Sequence, residues 1–285
     1  MAASLSAGSQ AAPLLLLGAS GPIGSFLLER LAGQGVMIMA VSRRQPAHAD
    51  NGAIWLQHDM DLGPAAVEPS VLVSLGPIRH ALAQVEHGHR LGRVIALSSA
   101  STLFKTQSRD PVERDLMAEL IELEQALEYA CARRDIALTL LKPTMIYGGG
   151  KDRNVSRIGG LVSRLGAVPY CGRGLRQPVH ADDLAKLIVH CLKLGRLGAG
   201  KYLLGGGETL SYPELLRRIA SARGRRLRLI RLPAFLVRPL LRVAHGLGHL
   251  TDIRPAMIDR QAMDLVVDDQ PARERLDWHP RPFRP

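Results

Sequence analysis

The sequence predicts an α/β protein with a Rossmann-type doubly wound parallel sheet and a small C-terminal α-rich domain on the substrate side. Two observations carry this prediction. Short apolar runs alternate with helical patterns over the first two-thirds of the chain, as in parallel sheets with crossover helices. The first apolar run leads into a glycine-rich turn and then a helical pattern, the order in which dinucleotide-binding turns occur.

Six short strands are expected in this sheet. Most are apolar throughout, which is typical of strands covered on both faces. They are Leu14–Leu17, Val36–Val41, Ile54–Leu56, Val71–Leu75, Val94–Leu97 and Ala137–Leu141.

The longest helix is predicted from about Val112 to Arg133. Its expected buried face repeats at intervals of four and three and consists of Leu116, Leu120, Leu123 and Leu127. A second helix should begin at Asp182, because acidic residues suit the first turn. A third should follow Ser211, which forms a capping-box pattern with Glu214.

The 285 residues suit a Rossmann-type domain with a smaller partner. We predict a disordered tail over residues 1–12. Residues 13–147 and 177–203 should form the dinucleotide-binding domain, and residues 148–176 and 204–285 the smaller substrate-side domain.

The glycine-rich turn reads Gly18-Ala-Ser-Gly21-Pro-Ile-Gly24. Its first glycine allows a tight turn, the second lets the backbone approach a pyrophosphate, and the third lets helix and strand pack closely. The helix start then offers N–H groups and a positive dipole end to phosphates. The predicted ligand-binding residues here are Gly18, Ser20, Gly21, Pro22, Ile23 and Gly24. The alternative is a glycine loop that binds nothing.

The G-x-x-G-x-x-G spacing resembles the extended and atypical short-chain dehydrogenase/reductase superfamily, whose best-known members are nucleotide-sugar epimerases. The resemblance covers nearly the whole chain. It recurs at Asp59-Met60, at Ser98-Ser99 and in residues 142–148, 176–185 and 269–285.

The end of the second strand indicates the cofactor. A carboxylate there would favour NAD, whereas arginine accommodates the 2′-phosphate of NADP. Arg43 and Arg44 stand at this position, with no acid before Asp50. NADP(H) is therefore favoured and NAD(H) is the alternative, unless both arginines are only solvated charges.

The resemblance implies further cofactor contacts. Asp59 and Met60 would meet the adenine, unless Asp59 only caps the next turn. The remaining implied contacts follow later strands and are Ser74, Leu75, Gly76, Ser98 and Pro143.

The usual catalytic pair is missing. Relatives that move hydride use Tyr-x-x-x-Lys on the long helix, where lysine lowers the tyrosine pKa, and a glutamate follows the lysine by four residues. If Glu124 is that glutamate, Leu120 and Leu116 stand at the lysine and tyrosine positions. Tyr129 with Arg133 is a remote alternative. The family's catalytic serine aligns with Ala100.

Other residues are weak catalytic candidates, namely Ser99, Ser101, Lys105 and Tyr147. Tyr147 is alternatively a structural tyrosine and Lys105 a solvated lysine. Arg176 matches the family arginine that binds a substrate pyrophosphate, unless it pairs with Asp182 or Asp183. His180 is expected to be a packing histidine.

The net charge of +11 is concentrated between Leu215 and Arg260, where eleven arginines face two aspartates. Such a segment can attract a phosphorylated ligand or anionic lipid. Nucleic acid is excluded as a partner because aromatic stacking residues are nearly absent there. Within this segment, Ala234–Leu250 reads as an amphipathic helix, kinked at Pro239, that either packs in its own domain or lies in a membrane interface.

The three cysteines, Cys131, Cys171 and Cys191, have no close partner in sequence, which suits a reducing cytosol and small core residues. No metal site is expected. With no membrane span or signal peptide apparent, we expect a cytoplasmic protein, with peripheral membrane contact as an alternative. Oligomeric state is not readable.

Together these features predict an NADP(H)-preferring reductase or epimerase-like enzyme with non-standard catalytic residues. Its substrate would be a nucleotide-linked or other anionic small molecule. The alternative is a catalytically silent protein that holds the dinucleotide as a structural or sensing ligand, as an accessory subunit of respiratory complex I does in this superfamily.

Overall fold

A computed structural model describes residues 13–44, 52–150, 152, 155–164, 166–246, 248 and 254–285. The predicted tail, residues 1–12, lies outside the described residues, as does the end of the predicted amphipathic helix. Among the described residues, no helix is both long and apolar enough to cross a membrane.

The strands are short. In chain order they are β1 (Leu14–Leu17), β2 (Ile38–Ser42), β3 (Ile54–Gln57), β4 (Val71–Ser74), β5 (Arg93–Leu97), β6 (Ala137–Pro143), β7 (Ile146–Tyr147), β8 (Ala167–Tyr170), β9 (Leu175–Arg176), β10 (Val179–His180), β11 (Gly200–Leu204), β12 (Leu210–Ser211) and β13 (Arg228–Arg231).

The α-helices alternate with the main strands and then dominate the C-terminal part. They are α1 (Pro22–Leu31), α2 (Ile78–His87), α3 (Ser101–Phe104), α4 (Pro111–Arg133), α5 (Val155–Arg164), α6 (Ala181–Leu194), α7 (Tyr212–Ala222), α8 (Ala234–Gly246), α9 (Pro255–Asp259) and α10 (Gln270–Leu276).

Seven strands form one parallel sheet in the order β11-β6-β5-β4-β1-β2-β3. This is the predicted Rossmann-type architecture. The strand order reverses at β1, which lies between β2 and β4. In such sheets, ligands bind at the carboxyl ends of the strands beside this reversal, so the fold directs attention to the turn after β1.

The core has two apolar layers, one on each face of the sheet. Helices α1 and α6 pack together on one face, and α2 and α4 on the other. All four leucines of β1 are buried, because this central strand is covered from both sides. The sheet is thereby held rigidly beneath the turn that follows it.

The predicted strands of the main sheet differ from the structure in two places: one begins too early and one is missing. Strand β2 begins at Ile38 rather than Val36, since Val36 and Met37 are exposed. Strand β11 was not predicted. It is an edge strand that contains the exposed Lys201 beside the positive-φ Gly200, and such a sequence carries little of the apolar signal of a central strand.

The long helix α4 lies where it was predicted, but its buried face differs. Leu116 is 56% exposed. Leu127 is buried as predicted, and Leu120 and Leu123 pack against the core while partly buried. The buried face is therefore rotated away from Leu116, and Met117, Glu124 and Cys131 complete it.

The predicted capping box at α7 is wrong. Ser211 is at the N-cap position, but its side chain makes no capping hydrogen bond. Glu214 instead accepts from Arg218 and pairs with Arg217. The arginines of the next turn outcompete the backbone for this carboxylate.

The C-terminal part is joined to the segment after β7 by short pairings, β8 with β13 and β9 with β12. Helix α10 then returns to pack against β11 and α6. Ala272, Leu276 and Trp278 are buried in the core of the main sheet. The division of the chain into two domains at residue 204 remains a prediction. Helix α10, which that division assigns to the smaller domain, packs against the Rossmann sheet.

Candidate functional site

The turn between β1 and α1 requires two of its glycines. Gly18 has φ +80°, and a Cβ there would lie 3.1 Å from the carbonyl carbon of Leu75. A Cβ on Gly24 would lie 2.4 Å from the carbonyl oxygen of Ala19. Glycine at 18 therefore lets the end of β1 approach the end of β4, and glycine at 24 lets α1 pack onto the turn.

The start of α1 suits an anion. Gly21 is at the N-cap without a side-chain hydrogen bond, Pro22 occupies the first turn, and that turn has no acidic residue. The first N–H groups of a helix have no intrahelical acceptor, so those of Ile23 and Gly24 are available to a ligand. Phosphate oxygens are the acceptors that such a helix start attracts.

Arg43 and Arg44 follow β2 at the same edge of the sheet and are both exposed. Neither guanidinium makes a side-chain hydrogen bond or ion pair within the described residues; the backbone of Arg43 accepts from Gln57, and that of Arg44 donates to Ser42. Both are placed to meet an anionic group carried beside the end of β2.

Of the residues expected beneath the cofactor, Asp59 already has a hydrogen-bond partner and Ser74 does not. Asp59 Oδ1 accepts from the Asp61 N–H at 3.1 Å, so the alternative that it caps the short 3-10 helix Met60–Leu62 is confirmed. Ser74 Oγ is buried and has no hydrogen-bond partner in the described part of the chain. Buried hydroxyls are normally paired, so Ser74 offers a ligand an unsatisfied polar atom.

A dinucleotide fits these residues. The close approaches at Gly18 and Gly24, the uncapped helix start and the orphan hydroxyl of Ser74 lie together at the carboxyl edge of the sheet. The arrangement can hold a pyrophosphate at the helix start.

Ser98 and Lys142 meet a buried carboxylate. Lys142 Nζ lies 2.7 Å from Glu124 Oε2, and Ser98 Oγ donates to Glu124 Oε1. The Glu124 and Lys142 side chains are 3% and 7% exposed. Three elements, β5, α4 and β6, are thus joined by one polar cluster just below the candidate site.

Tyr147, a catalytic candidate, is a structural tyrosine. It is 1% exposed, and its hydroxyl accepts the Arg284 N–H at 3.2 Å. Its ring contacts His180 and Phe283 edge-on, and burial raises the pKa of its hydroxyl. Proton donation by Tyr147 is disfavoured because no substrate reaches a buried hydroxyl that already has a partner.

His180 packs as expected. Its Nδ1 accepts the Asp182 N–H at 3.1 Å, which caps α6. Its ring faces Gly148, where a Cβ would come within 2.5 Å of Nε2. Burial and the nearby Arg281 guanidinium lower the pKa of His180, so it stays neutral while it caps the helix.

The serine candidates lie in the turn after β5. Ser99 Oγ accepts the Ser101 N–H at 3.1 Å, and both side chains are half-buried. The position that aligns with the family serine is held by Ala100, which is fully buried. Ser99 thus organises the turn and leaves Ser101 at the start of α3.

A cleft of about 350 Å³ opens beside this turn. Phe104 and Lys105 form one wall, and Arg238 and Arg260 belong to the opposite one. Cys171 also lines it, but burial raises the pKa of that thiol, which opposes a role as a nucleophile. The cleft lies between the end of α3, with the segment that follows it, and the C-terminal part of the chain.

Two of the cations around the cleft are unpaired. Arg260 pairs with Glu113, and Arg238 with Asp259. Lys105 and Arg109 make no side-chain hydrogen bond or ion pair within the described ranges. Burial and the Arg260 charge lower the pKa of Lys105, against the opposing effect of Glu113. Lys105 therefore combines access to the cleft with an ammonium that loses its proton more easily than usual.

Arg176 is held by protein groups. Its guanidinium donates to three backbone carbonyls, those of Leu175, Arg260 and Met263, at 2.6 to 2.7 Å. It lies 5.4 Å from the Tyr212 ring centroid, and burial lowers its pKa to about 10. The predicted substrate contact remains a prediction, and these bonds anchor the guanidinium to residues 260–263.

The alternative pairing of Arg176 is wrong. Asp182 pairs with Arg30 and Arg281 at 2.6 and 2.5 Å. Arg281 also pairs with Asp183 at 2.8 Å. Arg30 of α1 and Arg281 of the C-terminal segment therefore pair with the carboxylates that were the predicted alternative partners of Arg176.

The long helix offers no substitute for the missing pair. Tyr129 is 65% exposed and stacks with Arg133, whose guanidinium carbon lies 5.7 Å from the ring centroid. It faces solvent, so the Tyr129–Arg133 alternative is wrong. Leu116 and Leu120 supply no titratable group at the family positions.

Sequence reasoning missed several cleft residues. Arg109, Cys171 and Met263 line the cleft but belong to segments with no motif. Arg260 was noticed only as part of the basic segment. The spacing of such residues along the chain carries no signal, because the return of the C-terminal part brings them together.

No protein-family model matches the chain. A curated relative, UDP-glucose 4-epimerase from Vibrio cholerae, is 25% identical over 179 residues, which are 62% of this chain and 52% of that protein. The match thus spans about half the length of the curated relative.

Solved structures share the fold over almost the whole chain. UDP-glucose 4-epimerase from Thermotoga maritima, solved with UDP-glucose, has a TM-score of 0.66 at 15% identity and covers 94% of each chain. MoeE5 in complex with UDP-glucose and NAD has a TM-score of 0.67 at 19% identity, covering 95% of this chain and 94% of the other. The resemblance to epimerase-like short-chain dehydrogenase/reductase proteins is confirmed at the level of the fold.

Proposed function

We propose that this protein binds a nicotinamide dinucleotide at the turn after β1, prefers NADP(H), and acts on an anionic, nucleotide-linked small molecule in the adjacent cleft. The observation that carries the proposal is that Gly18 and Gly24 leave no room for a Cβ, beside a helix start that no side chain caps. Glycine at these two positions keeps the turn tight and lets α1 begin directly above it, which leaves the N–H groups of the helix start open to a pyrophosphate.

The residues that would hold the cofactor have distinct tasks. The N–H groups of Ile23 and Gly24 would bind the pyrophosphate, and the buried hydroxyl of Ser74 would form a hydrogen bond with the ligand. Arg43 and Arg44 would bind the 2′-phosphate, because an arginine forms paired charge-assisted bonds with phosphate. When bound, the nicotinamide supplies hydride transfer.

The substrate class follows from the cleft. Lys105 and Arg109 are cations without partners among the described residues, whereas the charges of Arg238 and Arg260 are balanced by Asp259 and Glu113. An anionic ligand would gain from this field as water is excluded. MoeE5 and the Thermotoga epimerase were solved with UDP-glucose, which makes a nucleoside diphosphate sugar the first probe.

Lys105 is the best-placed group for proton transfer. Its lowered pKa brings the ammonium closer to the range in which a general acid works near neutral pH. Lys105 Nζ would deliver a proton to, or take one from, a substrate oxygen in the cleft. The neutral amine is stabilised by the apolar surroundings that bury the side chain and by the Arg260 charge.

Calorimetric titration with NADPH and NADH tests the cofactor half of the proposal. Wild-type protein should bind NADPH about tenfold or more tightly, since hydrogen bonds to a charged group contribute roughly 1.5–3 kcal/mol. Arg43→Ala and Arg44→Ala should each reduce that preference. Arg90→Ala, an exposed arginine at the opposite edge of the sheet, is the matched control. Equal affinities for the two nucleotides would contradict the preference.

A second function, dinucleotide binding without catalysis, is favoured by one observation. Leucines occupy both family positions on α4, and Tyr147 is buried and already hydrogen-bonded. General acid–base catalysis contributes about 10²–10⁴ in rate. If Lys105 does not replace the pair, NADPH with UDP-sugars should turn over at the background rate.

Lys105→Arg separates the two functions. Arginine keeps the positive charge but does not release a proton in proteins. If Lys105 transfers a proton, this variant should retain KM for the UDP-sugar and lose kcat. A wild-type protein that binds NADPH tightly and shows no turnover would support the silent function instead.

A further inference from the structure

The outer face of α8 is apolar although it faces solvent. Phe235, Leu236 and Val243 are 69%, 44% and 63% exposed. The inner side of the helix is engaged, since Leu241 is buried and Arg238 pairs with Asp259. Large apolar side chains are thus presented outward on a helix that already has a packed inner face.

Exposed residues continue into the strand that precedes the helix. Ile230 in β13 is 49% exposed, and only Leu232 and Pro233 separate β13 from α8. We call the combined surface the basic apolar face. It comprises Arg228, Ile230, Arg231, Phe235, Leu236, Arg242 and Val243.

Arginines around this face lack partners. Five of them are exposed and form no ion pair within the described residues: Arg225, Arg226, Arg228, Arg231 and Arg242. Arginines of the same segment that face inward are neutralised, as Arg238 is by Asp259 and Arg260 by Glu113. Positive charge is therefore concentrated on the outward side, beside the exposed apolar residues.

This combination fits one kind of partner. Apolar side chains of an interfacial helix enter the boundary between headgroups and acyl chains while arginines meet the phosphates. A second copy of the chain would bring like charges together in a symmetric interface. Nucleic acid would satisfy the arginines but would leave Phe235 and Val243 in contact with water.

The length of α8 specifies how it would bind. Thirteen residues rise only about 20 Å, which is less than the hydrocarbon core of a bilayer. Pro239 lies inside the helix and further weakens any spanning arrangement. The helix can lie in the plane of a membrane surface and cannot cross it.

We infer that the basic apolar face binds the surface of an anionic phospholipid bilayer. Ala234 and Arg238 of the same helix line the candidate cleft, so docking would bring one wall of the cleft to the membrane. This inference concerns a different surface from the proposed cofactor site and does not depend on that site.

Vesicle flotation with the full chain tests the inference. The protein should float with phosphatidylcholine vesicles that contain phosphatidylserine and remain behind with phosphatidylcholine alone. Each arginine near an anionic surface strengthens binding about fivefold. Arg231→Glu/Arg242→Glu should therefore weaken flotation by about tenfold or more, and Phe235→Ser/Val243→Ser should weaken it without changing the charge.

Matched substitutions elsewhere serve as controls. Leu197→Ser removes an apolar side chain that is 79% exposed, and Lys193→Glu reverses an exposed charge on α6. Both should float like wild type. An equal loss in Lys193→Glu would show that total charge alone drives binding, and the inference would fall.

Two further results would also overturn it. One is a wild-type protein that ignores anionic vesicles. The other is a dimer, detected by light scattering, that Phe235→Ser dissociates, because a second copy would then cover the face. NADPH titration on the same variants should be unchanged, which separates failure of this inference from failure of the proposed function.

Discussion

Lys142 Nζ lies 2.7 Å from Glu124 Oε2, and both side chains are almost completely buried. The pair connects the long helix α4 to strand β6, and Ser98 adds a third bond from the end of β5. It therefore fixes the position of the helix that carries the leucines at the family's catalytic positions.

Breaking this pair on one side should be costly. Lys142→Met leaves Glu124 as a buried charge without its partner, and we expect a loss of about 3–5 kcal/mol in the free energy of unfolding. Lys142→Met/Glu124→Leu should recover most of that loss, because no charge remains buried. Urea unfolding of the two single variants and the double variant measures the coupling. Losses that simply add would show that the two residues act independently.

Gly24→Ala should damage both packing and cofactor binding. Its Cβ would lie 2.4 Å from the Ala19 carbonyl oxygen, so the turn must move, at about 1–3 kcal/mol. NADPH affinity should fall with it. Gly160→Ala is the matched control, since Gly160 is also helical but has no atom within 4 Å of its Cβ position. Calorimetry that finds normal NADPH binding by Gly24→Ala would contradict the role assigned to this turn.

His180 should make stability depend on pH. Burial and the Arg281 charge lower its pKa below the ordinary value of 6.5, so the unfolded chain binds a proton more readily than the folded one. The stabilising contribution of neutral His180 is complete above pH 6.5 and is lost as the pH falls through the lowered pKa. The nearby Asp182 titrates at lower pH, because its pairs with Arg281 and Arg30 outweigh the effect of burial and lower its pKa.

Melting temperatures at pH 7 and pH 5 test this assignment. Wild type should melt lower at pH 5, and His180→Asn should show a smaller drop, because asparagine can still cap α6 without taking up a proton. The exposed His87→Asn serves as the control. The same drop in His180→Asn as in wild type would assign the effect to other groups.

Arg176→Ala should lower the free energy of unfolding. It removes bonds to three carbonyls, and we expect a loss of about 3 kcal/mol in unfolding free energy. Hydrogen exchange of residues 260–263 should rise because their anchor is gone. Arg173→Ala, an exposed neighbour, should do neither. A variant of normal stability that loses affinity for UDP would instead make Arg176 a substrate ligand.

Tyr147→Phe should be almost silent. The substitution removes one hydrogen bond to the Arg284 N–H, at about 1 kcal/mol, and keeps the ring between His180 and Phe283. Tyr147→Ala should cost about 3–5 kcal/mol by leaving a cavity. Urea unfolding and NADPH-dependent turnover with UDP-glucose are the measurements. Turnover lost in Tyr147→Phe at normal stability would restore this tyrosine as a proton donor.

Local sequence was sufficient for the elements that position the cofactor site. The glycine spacing from Gly18 to Gly24 encodes the turn, because each glycine answers a clash or a positive φ within a few residues or across adjacent strand ends. The long helix α4 and six of the seven sheet strands were placed to within about two residues by apolar periodicity; β11 was the exception. The absence of the Tyr-x-x-x-Lys pair was also legible from α4 alone.

The pairing of charged groups depends on contacts between segments that are distant in sequence. Arg176 was expected to meet a ligand or Asp182, yet it donates to carbonyls 84 and 87 residues away. Lys105 and Arg260 border one cleft because the C-terminal part packs against the segment between α3 and α4, where Arg260 pairs with Glu113. Residue spacing fixes local geometry through short-range sterics and hydrogen bonds, whereas burial and ion pairing depend on which distant segments pack together, and no pattern within a single segment specifies that.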